Sequence, residues 1–128
     1  LARLAHGLLV AVALVLGAAW YRSRAGSQPE TLLLLFAVIF LLRCVLDPGN
    51  HSYYHVSAIA SLLAYEGVTR RGIPWASLLL IAALWATARL PGHVVDRTLA
   101  VVYLGWAVPA VVLGLWLLFR RSRLIALA

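Results

Sequence analysis

The stretch Thr31-Leu-Leu-Leu-Leu-Phe-Ala-Val-Ile-Phe-Leu-Leu-Arg43-Cys-Val-Leu46 carries a single charged side chain, Arg43. Ser27-Gln28-Pro29-Glu30 precedes it and Asp47-Pro48-Gly49 follows it. The leading segment reads as a helix start, with Ser27 as N-cap, Pro29 in the first turn and Glu30 completing a capping box. The trailing Asp-Pro-Gly reads as a stop. Between them lies an apolar helix over 28–46, close to the ~20 residues that cross a bilayer.

The same reading extends outward in both directions. Residues 4–21 form an apolar run closed by Trp20 and Tyr21, aromatics suited to a membrane interface, and Arg22 and Arg24 follow. A third span is expected over 50–67, ended by Gly67 and the Thr69-Arg70-Arg71-Gly72 segment, and a fourth over 73–90, with Pro74 and Trp75 at its start. A fifth runs over 98–119, with Pro109 in its middle and Arg120, Arg121 and Arg123 after it. Pro109 removes one helical hydrogen bond and predicts a break or kink. The expected fold is therefore all-α, a multi-pass transmembrane bundle of about five spans. Position 1 is Leu and the chain has no Met, which predicts a region of a larger bundle.

Composition agrees with lipid. Of the 128 residues, 64% are hydrophobic and 12% charged, with a mean hydropathy of +0.95. Soluble domains are about 45–50% apolar and about 25% charged. The formal net charge is +7, and every basic residue is Arg. These arginines sit at the ends of apolar runs, a membrane-flank pattern that argues against a nucleic-acid partner. Cys44 is the only cysteine, so an internal disulfide is excluded.

Five alternating spans put Arg22, Arg24, Arg70, Arg71, Arg120, Arg121 and Arg123 on one side. Arg3, Arg43, Arg89 and Arg97 fall on the other. The positive-inside rule makes the first side cytoplasmic, with the C-terminus inside. Arg-only usage matches a GC-rich genome, and the expected location is the bacterial cytoplasmic membrane. His6, His51, His55 and His93 then gather outside, with Asp47, Asp96, Asn50, Tyr53 and Tyr54, whereas Glu30 and Glu66 lie near the inner side.

The polar knot between Arg43 and His55 is the candidate site. A helix starting after Pro48 aims its N–H groups outward, a ready anion site. Arg43 can add a bidentate contact to phosphate. Asp47, Asn50, His51, Tyr54 and His55 can hydrogen-bond sugar hydroxyls. The plainer reading is a hairpin at headgroup level, with Arg43 paired to Asp47 and an aromatic belt around it. His51 and His55 share a helix face at metal-pair spacing. No Glu follows His51 and no third ligand is placed, so a divalent metal is the less favoured reading and no cofactor is firmly implied; hydrogen bonding of these histidines to a ligand or a neighbouring helix is favoured. Arg89, His93 and Arg97, with Asp96, form a second outer cluster, read either as a phosphate-holding set or as a solvated loop. Tyr54, Ser57, Ser61 and Tyr65 make a polar stripe down the third span, read as helix packing or as the wall of a lipid-tail groove. The five tryptophans read mostly as belt or lipid-facing residues.

Arg43-x-x-Leu46-Asp47-Pro48-x-Asn50-x-x-Tyr53-Tyr54, leading into a helix rich in small residues, resembles the late part of C-type integral membrane glycosyltransferases, nearest the family 87 mannosyltransferase-like proteins. The resemblance covers about residues 28–70. It implies transfer of a sugar from a polyprenyl-phosphate donor on the extracytoplasmic face. It also implies a catalytic Asp in a first outer loop that is not among these residues. The expected partners are membrane lipid, the lipid-linked donor and further transmembrane helices of a longer chain or complex. The alternative is a non-enzymatic small membrane subunit or lipid-binding module.

Overall fold

In the computed structural model, residues 2–23, 28–46, 53–89 and 96–126 are described. They form five α-helices: α1 Ala2–Arg22, α2 Pro29–Leu46, α3 Tyr53–Thr69, α4 Trp75–Ala88 and α5 Asp96–Ala126. No strand occurs among the described residues. The all-α expectation holds, and each expected span has a helix at its place. Pro29 takes the first helical position of α2, as expected, and the Thr31 amide and hydroxyl both donate to the Gln28 carbonyl, at 3.0 and 2.7 Å. Ser27, the expected N-cap, lies outside the described residues.

α2 is the helix the others lean on. It buries Leu34, Leu35, Val38 and Leu41 along one stripe and Ala37 and Cys44 beside it. Three layers run along it. Leu34 and Leu35 pack with Tyr65, Leu118, Leu16 and Trp20 at one end. Val38 and Leu41 pack with Ala58, Leu80 and Val111 in the middle. Cys44 packs with Tyr103, Ala107 and Tyr54 at the other end. Numbering rises along α2 from the first layer to the third and falls along α3 and α5, so α2 runs antiparallel to both. The α2–α5 approach is close: a Cβ on Gly114 would come within 2.6 Å of Val38 Cγ2.

α5 is continuous through Pro109 and exceeds the expected 98–119 at both ends. The expected break is absent. Ala107 and Val111, buried on either side of the proline, hold both halves against the core. Tertiary packing thereby outweighs the lost hydrogen bond.

The turn from α3 to α4 is held by a carboxylate. Glu66, 3% exposed, accepts from the Ala76 amide at 3.0 Å through Oε1 and from the Ser77 amide and hydroxyl at 2.8 and 2.7 Å through Oε2. The N-cap position of α4 is Pro74, whose side chain supplies no cap. Glu66 supplies it from the preceding helix, placing a negative charge at the positive end of α4.

Among the described residues, two segments are long and apolar enough to cross a membrane by length and composition: Pro29–Leu46, of 18 residues, and Arg97–Arg120, of 24. The expectation of five such spans is met only in part. The 14 residues of α4 rise about 21 Å at ~1.5 Å each, short of the ~30 Å hydrocarbon core. α3 is interrupted by Ser57, Ser61 and Glu66.

Candidate functional site at the aromatic end

The third packing layer forms the floor of the expected site. Arg43, in the last turn of α2, lies with its guanidinium 4.0 Å from the centroid of the Tyr54 ring. Tyr54 belongs to the first turn of α3. Its ring stacks obliquely on Tyr53, with centroids 4.2 Å apart, and the Tyr53 hydroxyl donates to the Tyr54 hydroxyl at 2.9 Å. A guanidinium seated on an aromatic face is attracted by the ring quadrupole and keeps its in-plane N–H donors at its edge. Those donors suit a carboxylate or phosphate.

His55, one residue on, is turned inward against α5. It is 3% exposed, and its Nε2 lies 2.9 Å from the Tyr103 hydroxyl on α5. With the ring proton on Nδ1, the Tyr103 hydroxyl donates to Nε2. The two rings meet edge-on at 5.6 Å and 88°. Tyr103 in turn meets Trp106 edge-on at 5.0 Å and 82°. The Trp106 indole donates to Thr87 Oγ1 on α4 at 3.0 Å, and the Thr87 hydroxyl donates to the Ala83 carbonyl at 2.8 Å. Four side chains thus tie α3, α5 and α4 together. Of the two readings of His55, a ligand or a neighbouring helix, the geometry supplies the helix.

The other expected site residues divide as follows. Asp47, Asn50, His51 and His93 lie outside the described residues. Arg89 stacks on Trp85 of its own helix, 4.6 Å from the ring centroid. Arg97 is exposed in the first turn of α5. Among the described residues, no group of three His, Cys, Asp or Glu side chains comes together as a metal set.

Three functional contacts escaped the sequence reading. Trp106 and Trp20 are not simple belt residues: each donates its indole N–H to a threonine, Trp106 to Thr87 and Trp20 to Thr31 at 2.9 Å. Trp75, Trp85 and Trp116 are exposed, as a belt requires. The third contact is the Glu66 cap. A helix beginning Pro-Trp-Ala-Ser with no capping residue of its own is the signal that points to it. No protein-family model, curated protein or solved structure matches the chain.

Proposed function

We propose that this chain is a multi-pass region of a bacterial membrane glycosyltransferase, with five membrane-inserted helices and a cytoplasmic C-terminus. Its aromatic end binds the phosphate of a polyprenyl-phosphate-linked sugar donor on the extracytoplasmic side. The observation that carries the reading is Arg43 seated on Tyr54 where α2 ends and α3 begins. That cation precedes by four residues, in sequence, the segment that holds Asp47, Asn50 and His51. Membrane insertion draws support from the exposure of Leu4, Val15, Val56, Leu79, Val101 and Val112, apolar side chains spread over four helices. Water-soluble monomers rarely expose contiguous apolar area beyond a few hundred Å².

A second reading, a non-enzymatic membrane module, is favoured by the His55–Tyr103–Trp106–Thr87 chain. There the polar groups of the aromatic end serve helix packing. The test is labelling of the full-length protein in membranes by a photoreactive polyprenyl-phosphate sugar. Charge-assisted hydrogen bonds contribute about 1.5–3 kcal/mol, so Arg43→Ala should weaken labelling about 10- to 150-fold. Equal labelling of the two proteins at limiting probe overturns the donor reading and leaves the packing module.

A further inference from the structure

A groove of about 280 Å³ runs between α4 and α5. Its walls are Ala76, Leu79 and Ala83 on one side and Ala110, Leu113 and Leu117 on the other. Val38 and Ala58 form part of the floor. Leu79 and Leu113 are well exposed, so the groove opens sideways. Trp106 lines the end where its indole bonds Thr87, and this α4–α5 bridge shuts that end. Ser57 and Ser61, of the stripe read as helix packing or as a tail-groove wall, are not among the residues that line it.

The opposite end lies at the arginine-rich face. Ala76 lines the groove there, held by Glu66, and the Arg70 amide donates to the Glu66 carbonyl at 2.8 Å one turn further along α3. Arg70 and Arg71 are exposed. Arg120 follows Leu117 by one turn of α5 and stacks on Trp116 at 4.6 Å. Trp75, exposed at the first residue of α4, stands at the same level.

We infer that this groove holds an acyl chain of an anionic phospholipid of the arginine-side leaflet, with its headgroup among Arg70, Arg71 and Arg120. Charge complementarity selects the headgroup: basic pockets between membrane helices hold anionic lipids, and each arginine near the surface contributes about 1 kcal/mol. The groove is apolar and opens sideways, a shape along which a flexible hydrocarbon chain can lie. This inference rests on the membrane-inserted reading but not on the sugar-donor one, whose site is at the other end of the bundle.

The experiment reconstitutes the full chain in phosphatidylcholine vesicles. Spin-labelled phosphatidylglycerol and spin-labelled phosphatidylcholine are compared by the fraction of motionally restricted probe. The expected result is a preference for phosphatidylglycerol of at least about fivefold, the equivalent of one arginine. Joint replacement Arg70→Gln, Arg71→Gln and Arg120→Gln should abolish it, and lysines at the same positions should retain it. Ala83→Phe or Leu113→Trp, filling the groove from opposite walls, should also abolish it while helical content by circular dichroism stays unchanged. Equal association of the two lipids with the unmodified chain overturns the inference. So does a preference that survives both groove-filling variants, since surface attraction alone then explains it. Release of the unmodified chain from membranes by alkaline carbonate sinks the membrane reading as well; retention without headgroup preference sinks only this inference.

Discussion

Glu66→Ala is the substitution with the most sharply defined cost. The first turn of α4 has four amides to satisfy. Trp75 donates to the Ile73 carbonyl at 2.9 Å and Leu78 to the Pro74 carbonyl at 3.0 Å. The remaining two, Ala76 and Ser77, depend on Glu66. Ser77 is 1% exposed, so truncating Glu66 strands its amide and hydroxyl away from water. Each stranded group costs about 1–3 kcal/mol. The Ala76 amide belongs to an exposed residue and finds other partners more cheaply. Loss of the negative charge at the helix start adds about 0.3–1 kcal/mol. The expected total is about 3 kcal/mol, taking the two buried groups near the lower end of their range.

At about 3–4 °C per kcal/mol for a chain of this size, the midpoint of thermal unfolding should fall on the order of 10 °C. Cys44 gives the readout. It is the only cysteine and is 1% exposed, so a thiol-reactive fluorophore labels it as the bundle opens in mild detergent. Glu66→Gln keeps one acceptor oxygen and should lose about half as much. Ser77→Ala removes one of the stranded groups, so Glu66→Ala combined with Ser77→Ala should cost less than the sum of the two single changes. An unchanged midpoint for Glu66→Ala, or strict additivity of the pair, would refute the cap.

Gly114→Ala should destabilise the chain by about 1–3 kcal/mol through overpacking, because its Cβ meets Val38 Cγ2 at 2.6 Å; combining it with Val38→Ala should restore most of the loss in the same thermal assay. Thr87→Val removes the acceptor for the half-buried Trp106 indole and should cost about 1 kcal/mol, with a red-shifted tryptophan emission; no change in either quantity would mean the α4–α5 bridge does not form.

The helices were legible because their signals are local. Pro29 after a polar residue, an apolar run and a Pro-Gly stop define α2 without reference to any partner. α3 runs past 67 to Thr69 and α5 extends past Arg120, because terminal turns follow contacts rather than composition. Pro109 does not break α5 for a related reason: its local penalty is real, but Ala107 and Val111 are fixed by α2, which no sequence window contains. Helix pairing was illegible even across the short α3–α4 connection, where Glu66 caps α4 through Ala76 and Ser77. It was equally illegible for His55 and Tyr103, 48 positions apart. A histidine in a polar knot looks like a ligand group until the helix that covers it is known.

That distinction decides which residues of the aromatic end can meet a donor from outside. Tyr53 is 59% exposed, whereas His55 is 3% exposed. Adjacent residues on a helix point about 100° apart, so with His55 turned onto Tyr103, Tyr53 projects toward the rim and half-buried Tyr54 lies between them. Arg43 is drawn to that rim by the Tyr54 ring. On the proposed donor reading, Arg43 and the tyrosine hydroxyls are open to an anion while His55 is buried against Tyr103. His55→Phe should then act through packing, lowering the unfolding midpoint by the loss of one buried hydrogen bond, about 1 kcal/mol, while donor labelling at saturating probe stays near the unmodified level. Arg43→Ala should do the reverse. If the two substitutions change stability and labelling in parallel, the division between rim and strut is wrong, and the knot acts as one unit.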